Sequence, residues 1–335
     1  MSDLINSQTR IAVVAIGRNE GDRLRRCIES AIGQVPGVVY VDSGSTDGSL
    51  AMAAGLGARV VELDLSRPFT AARARNAGFA RLLEGDAAVA YVQFVDGDCE
   101  FEADWLKTAV DFLDQNPKVA AVFGRRRERF PDRSIYNRLC DLEWAVPPGL
   151  VLYCGGDVMI RAAALTAVGG YRSDLIAGEE PELCVRLRRG GWQVVCLDQP
   201  MTIHDAAMER FGQWWRRSLR SGHAFAQGAD IHGGPPDYHW VREARRAVIW
   251  GLALPIAIVG AAGLVTPYLL GLAALYPVQV GRLYWTQRKT NNWPLLTSIA
   301  LVASKFPEAA GWVTYHVNQQ LGRAPQLIEY KSLSL

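Results

Sequence analysis

The sequence predicts an α/β protein: a mostly parallel sheet flanked by helices, followed by apolar C-terminal helices. Three observations support this. Short β-branched apolar runs alternate with helix-period segments over the first hundred residues, the pattern of βαβ units. Polar clusters (Arg18-Asn19-Glu20, Asp42 to Asp47, Asp96-Gly97-Asp98) stand at the ends of those runs, where α/β sheets place their ligands. Residues 247–281 contain no charged residue.

Residues 11–17 (IAVVAIG) form a continuous apolar run, as a strand buried on both faces does. Leu24, Cys27, Ile28 and Ala31 recur at helical spacing over 22–33. A second strand at 37–41 ends in the turn-rich DSGSTDGS. A helix over 49–56, a strand at 58–63 and a helix over 71–84 follow, then a strand at 89–95 that stops at Asp96. Beyond 101 the pattern gives a helix at 103–114, a strand at 119–123, and a loop crowded with Arg125, Arg126, Arg127 and Arg129. A helix with an acidic start spans 174–190, before a strand at 192–197. After about 203 the character changes: His204, His223, His232 and His239 fall in one short stretch with Trp214, Trp215 and Trp240.

As a straight helix, 247–281 would span roughly 50 Å, against a hydrocarbon core of about 30 Å. Gly263, Thr266 and Pro267 divide it into halves, each short for a crossing. Arg242, Arg245 and Arg246 precede it, and Arg282 and Arg288 follow. Positive residues mark the cytoplasmic side, so the expectation is a hydrophobic hairpin or re-entrant segment that enters and leaves on one face. A buried helical pair in a soluble protein has the same composition. Residues 293–316 are apolar but carry Lys305 and Glu308, which suits an interfacial amphipathic helix.

Composition narrows the function classes. The 335 residues allow one large domain or two ordinary ones. The 49% hydrophobic and 21% charged residues suffice for a packed core and argue against long disorder. Lys plus Arg is 36 against 34 for Asp plus Glu, which argues against a bulk electrostatic nucleic-acid binder. The mean hydropathy of +0.02 fits a soluble part joined to an apolar part. Cysteines 27, 99, 140, 154, 184 and 196 form no CxxC pair, against a zinc knuckle or a disulfide framework. Reduced thiols in the cytosol fit, and MSDLINSQTR shows no apolar signal core.

Asp96-Gly97-Asp98 follows an apolar strand, and two carboxylates at i and i+2 there can turn toward one oxygen-ligated cation, Mg²⁺ or Mn²⁺. A solvated β-turn has the same composition. Asp42, with Ser43 and Ser45 at another strand end, can grip a base or ribose. No GxGxxG follows the first strand and no GxxxxGK[ST] occurs, which weakens dinucleotide and P-loop readings. Glu179, Glu180 and Glu182 read locally as favourable charge at a helix start. His204 before Asp205 is either a metal ligand or a structural hydrogen-bonder. Gly155-Gly156-Asp157 is either a close backbone approach to a sugar or a plain turn. The Arg125–Arg129 cluster suits a lipid-linked diphosphate or a solvated loop.

VVAIGRNE, VVYVDSGSTDGS, AARARNAG, VQFVDGDCEF and AGEEPELCVRLRRGGW, in this order, together resemble the inverting family 2 glycosyltransferases over about residues 10–220. The resemblance implies a nucleotide-sugar domain of the type A class over 1–203. After it come an amphipathic, acceptor-side segment over 204–246, the hydrophobic segment 247–281, and an interfacial helix and tail over 282–335. It implies donor-binding roles for Arg18, Glu20, Asp42, Arg75, Asp96 and Asp98, with Asp98 and His204 toward a Mg²⁺ or Mn²⁺ ion. Glu180 falls at the catalytic base, where the family usually has Asp. Gly156, Asp157, Glu179, Gln213 and Arg216 fall on the acceptor and diphosphate side. Gln213-Trp214-Trp215-Arg216-Arg217 resembles the family's Q-x-x-R-W element, with Arg217 where Trp is usual; that departure and the small apolar segment speak against a processive synthase. Trp214 and Trp215 are equally suited to anchoring at a membrane interface.

Inverting transfer needs a carboxylate to take the acceptor hydroxyl's proton, and a cation with basic groups for the departing diphosphate. The expected activity is therefore transfer of one sugar from a nucleotide diphosphate, UDP ahead of GDP, to a lipid or lipid-linked acceptor. The resemblance implies a setting in bacterial envelope or exopolysaccharide assembly, expected at the cytoplasmic face of the inner membrane, with no nucleic-acid partner. The competing readings are a nucleotidyltransferase, which would release pyrophosphate, and a catalytically inactive membrane scaffold.

Overall fold

The computed structural model describes residues 10–84, 89–323 and 328. The N-terminal segment read for a signal core lies outside them up to residue 9, as do 324–327 and 329–335 of the expected tail. The chain forms two compact units, Met1–Pro131 with Glu143–Ala206, and Asp132–Leu142 with Ala207–Leu335.

The first unit is built on β1 (Ile11–Gly17), β2 (Val38–Asp42), β3 (Arg59–Glu62) and β4 (Tyr91–Asp96), with helices α1 (Asp22–Ala31), α2 (Ser49–Gly55) and α3 (Ala71–Leu83) between them. These four strands pair in parallel, in the order β3-β2-β1-β4. Both faces of β1 and β2 are buried, which is why they read as unbroken apolar runs. α3 lies close on this sheet because residue 78 is glycine: a Cβ there would sit 2.3 Å from Val14 Cγ1 and 3.0 Å from Val41 Cγ2.

The expectation of a mostly parallel sheet needs correction: the sheet is mixed. Beyond β4 the order is β8-β6-β9-β5, with β7 on β9. β8 (Val158–Arg161) is antiparallel to both β4 and β6 (Val119–Glu128). β9 (Gln193–His204) is parallel to β6 but antiparallel to β5 (Cys99–Phe101) and β7 (Gly149–Leu150). Strands β5, β7 and β8 have three, two and four residues, too few to show a period of two.

Arg125, Arg126 and Arg127 are not on a loop either, although Arg129 lies past the strand's end. β6 runs on to Glu128, with register shifts between Phe123 and Arg125 and between Arg125 and Arg126. Such bulges re-aim side chains without ending the strand. Trp105–Gln115 forms α4, Ala162–Ala167 α6, and the acidic helix is α7, Glu179–Arg189, shorter than the 174–190 expected. Gly178 at φ 81° precedes it, a left-handed position suited to glycine. Its first turn holds Glu179, Glu180 and Glu182 and its last Arg186, Arg188 and Arg189, matching the helix dipole.

The second unit is helical. α5 (Ile135–Glu143) begins there; α8 (Phe211–His232) and α13 (Lys305–Gln320) form its core. Their backbones cross closely through glycines: a Cβ at Gly222 would lie 1.9 Å from Glu308 O, and one at Gly311 2.0 Å from Leu219 O. The expected interfacial helix thus resolves into α12 (Pro294–Ala303) and α13, whose glycine face packs on α8. Three histidines are buried here: His223, His232 and His239. Burial pushes His223 down to about 4, and its ring meets Tyr315 edge-on.

α9 (Val241–Val248), a π-helical turn (Ile249–Ala253) and α10 (Leu254–Leu264) make one continuous helix. At 24 residues it is long and apolar enough to cross a membrane. The π-turn stands just before Pro255, whose ring would crowd a regular helix's i−4 carbonyl. The helix ends before Thr266 and Pro267; a 3₁₀ segment (Pro267–Ala274) packs back on α10, and α11 (Leu275–Gln287) follows it, its Tyr276 Oη donating to Trp250 O at 2.7 Å.

Paired glycine substitutions test this packing. Gly78→Val should lower stability by about 1–3 kcal/mol through overpacking. Gly55→Ala, with open space at its Cβ, should be neutral or raise stability by up to about 1 kcal/mol. Thermal and denaturant unfolding of the two variants checks both signs.

Candidate active site

The polar residues at the parallel strand ends are laced into two loops. Asn19, at φ 55°, donates its N–H to Ser45 Oγ (2.9 Å) and accepts from Thr46 N–H (2.7 Å). Gly21 N–H reaches Asp47 Oδ2 at 3.1 Å. Asp42, 2% exposed, closes its own loop: Oδ2 accepts from Gly44 and Ser45 N–H, and Oδ1 from the Tyr40 hydroxyl. Burial and that bond to Asp42 raise the Tyr40 hydroxyl's pKa. Glu20 pairs with Arg23 at 2.8 Å, and Arg18 is exposed at the end of β1.

The electrostatic centre is Arg75. α3 carries it 2% exposed among three carboxylates from two distant segments. Its Nη1 lies 2.8 Å from Glu179 Oε1. Its Nη2 lies 3.0 Å from both Asp96 Oδ1 and Glu180 Oε1. Tyr171 presents its ring 5.6 Å from the guanidinium carbon. A buried cation is held when carboxylates surround it this way. Burial, with Glu179 alongside, pushes the Glu180 carboxyl up to about 7 against the pull of Arg75. Glu180 is therefore poised to accept a proton near neutrality.

Gly156 faces this cluster. A Cβ there would stand 2.5 Å from Arg75 Nη2 and 3.0 Å from Asp96 Oδ2, so glycine lets the backbone come in close. Its neighbour Asp157, 1% exposed, accepts Asp96 N–H at 3.0 Å and the Thr202 hydroxyl at 2.7 Å. Asp157 also pairs with Arg126 at 2.8 Å, and Arg126 reaches Asp96 Oδ2 at 3.6 Å. Asp96 thus sits between two guanidinium groups.

On the adjoining strands, His204 Nε2 lies 3.1 Å from Asp98 Oδ2, and its Nδ1 3.7 Å from Glu128 Oε2. Burial works to lower the His204 pKa, but Asp98 and the bonds to Asp98 and Glu128 outweigh it and raise it. Asp98, Cys99 and His204 each offer one ligand atom, all within 4.8 Å of one another. A carboxylate, a thiol and an imidazole at that spacing fit a divalent cation. The ring of Trp144 closes on His204 edge-on, 4.6 Å between centroids.

Residues 12–152 match the family model described as Glycosyl transferase family 2. The match includes Glu20, Asp42, Arg75, Asp96 and Asp98, and ends before Gly156, Asp157, Glu179, Glu180 and His204. No curated protein matches the chain in sequence. In structure the chain is similar to mannosyltransferase PcManGT from Pyrobaculum calidifontis, solved with GDP-Man and Mn2+: 19% identity, 91% of this chain, 87% of that one, TM-score 0.63. It is also similar to a solved mycobacterial protein: 21% identity, 70% of this chain, 78% of that one, TM-score 0.51. These likenesses show a shared GT-A-like α/β fold.

The structure brings together Arg75, Asp96, Gly156, Asp157, Glu179 and Glu180, and places Asp98 beside His204. Gln213 and Arg216 belong to the second unit. There Gln213 caps α8: its Oε1 accepts from Glu209 and Arg210 N–H, and its Nε2 donates to Ala207 O. Arg216 is exposed. Sequence reasoning missed the individual role of Arg126, the contact of Glu128 with His204, and Cys99, Tyr171 and Thr202, which line the same site; four consecutive charged residues in RRRE offer no strand alternation to read.

Removing the central cation tests the arrangement. Arg75→Met should cost about 3–5 kcal/mol at neutral pH, because the carboxylates it holds stay buried without it. Arg75 pulls the Glu180 pKa down, so without it that pKa rises further, and the deficit should shrink as pH falls and Glu180 protonates. Denaturant unfolding of wild type and variant at several pH values measures this.

Proposed function

We propose that the chain is a membrane-associated, metal-dependent inverting glycosyltransferase that moves a sugar from a nucleoside diphosphate to a lipid or lipid-linked hydroxyl. The observation that carries this reading is that Glu180 and Asp96 bind the same nitrogen of Arg75. A candidate base and a candidate donor-binding carboxylate, far apart in the sequence, thereby stand at one fixed spacing. The family match and the fold of the mannosyltransferase support the assignment.

In this mechanism Glu180 takes the proton of the acceptor hydroxyl as its oxygen attacks the anomeric carbon. Its pKa near 7 keeps an appreciable unprotonated fraction while making it a stronger base than an ordinary carboxylate. Arg75 fixes the orientation of Glu180 and, with Arg126, the position of Asp96. Asp98 and His204 would hold the divalent cation, which when bound neutralises charge on the departing diphosphate. Donor choice is put to test between UDP-sugars, which the sequence resemblance favours, and GDP-mannose, which the Pyrobaculum enzyme binds.

The second unit supplies the membrane contact. At the hairpin tip Leu264, Val265 and Tyr268 are 90%, 75% and 92% exposed. At its base Arg242, Arg245, Arg246, Arg282 and Arg288 are exposed. A bare apolar tip with a basic base fits insertion into one leaflet of an anionic membrane, on the cytoplasmic face of a bacterial inner membrane.

Asp98→Ala and Glu180→Gln should each abolish transfer while the protein stays folded; the loss in Glu180→Gln should be about 10²- to 10⁴-fold. Release of nucleoside diphosphate rather than pyrophosphate, followed by chromatography, distinguishes glycosyl from nucleotidyl transfer. The wild-type rate should rise with pH through about 7 as Glu180 loses its proton; a rate already maximal at pH 5 contradicts the assignment of the base. Changing Leu264 and Tyr268 together to Glu should weaken binding to anionic phosphatidylglycerol vesicles at least about tenfold, given 1.5–3 kcal/mol for each large apolar side chain buried. Vesicle flotation reads this directly.

A further inference from the structure

The pairing register places a thiol in the cation site. Cys99 and His204 are directly opposed Cα partners in the antiparallel pair of β5 and β9, so their side chains project from the same sheet face. His204 is in turn the partner of Glu128 on β6. Cys99, His204 and Glu128 therefore form one row across three strands. Cys99 is 1% exposed, its Sγ stands 3.8 Å from Asp98 Oδ1, and its Sγ, a His204 nitrogen and an Asp98 oxygen lie within 4.8 Å of one another.

We propose that Cys99 is a protein ligand of this site, making it a carboxylate–thiolate–imidazole centre that prefers thiophilic divalent ions (Zn²⁺, Co²⁺, Cd²⁺) over Mg²⁺. The inference deepens the metal reading above and rests on it. Thiolate and imidazole select borderline and soft ions, whereas Mg²⁺ requires a near-octahedral oxygen shell. On binding, the Cys99 S–H bond breaks, a metal–sulfur bond forms, and the proton passes to the buffer. Glu128 is the positioning residue. Its carboxylate is held by the N–H groups of Phe130 and Ala206 and faces His204 Nδ1, leaving Nε2 toward Asp98, an arrangement usual behind metal-bound imidazoles.

The test is a Co²⁺ titration of the full-length protein, followed by absorption, with a parallel Mn²⁺ titration. Wild type should develop a near-ultraviolet thiolate-to-cobalt charge-transfer band that saturates at one equivalent. Cys99→Ser should lose that band, and its affinity for Cd²⁺ should fall roughly tenfold or more while Mn²⁺ affinity changes far less. The cadmium-113 resonance of wild type reports sulfur ligation without any substitution, so a poorly folded variant does not decide the matter. A band that survives Cys99→Ser overturns the proposal, because the sulfur is then another cysteine's. Co²⁺ and Mn²⁺ binding with no charge-transfer band and no sulfur-shifted cadmium resonance also overturns it, yet leaves the Asp98–His204 reading standing. Failure of wild type to bind any of these ions, with and without nucleoside diphosphate, removes both.

Discussion

The site depends on one buried cation. Arg75 is taken out of water and repaid by three carboxylates, two from the start of α7 and one from the end of β4. Neither side of that arrangement is stable alone: an isolated buried guanidinium, or three unscreened carboxylates, would each cost several kcal/mol. The mutual requirement fixes the spacing between segments about eighty residues apart in sequence. It also leaves one carboxylate, Glu180, incompletely compensated. Its pKa near 7 follows from burial and from Glu179 alongside, so the same charge cluster that organises the site also tunes the carboxylate proposed as its base.

The second constraint is the sheet's change of direction. The parallel half presents Asp42 and Asp96 at the carboxyl ends of its strands, as such sheets do. The mixed half supplies the rest: β8 follows directly on Asp157, β6 brings Arg126 and Glu128, and β9 brings Thr202 and His204. Asp157 joins the two halves through Asp96 N–H, Thr202 and Arg126. A bulged β6 is what turns Arg126 toward these carboxylates while Arg127 pairs with Glu102 instead.

Most of the parallel half was legible in the sequence because β1, β2 and β4 are buried on both faces, so IAVVAIG and VAYVQFV stand out against helical spacing. Asp96 and Asp98 were legible because they end such a run. The mixed half was hidden for physical reasons. Strands of two to four residues leave no periodic trace, and a strand rich in arginine imitates a loop until its partners are known. Gln213 shows the converse: a residue singled out by its motif spends its side chain on capping α8. Glu128 was invisible because its importance lies in a cross-strand neighbour seventy-six positions later.

The most direct measurement is the structure of the protein with a non-hydrolysable nucleotide sugar and Mn²⁺. The diphosphate should lie beside Asp98 and His204, with the anomeric carbon facing the Glu180 carboxylate across the Arg75 cluster. A nucleotide seated elsewhere, or a sugar turned away from Glu180 with another group positioned to accept the proton, would contradict this arrangement.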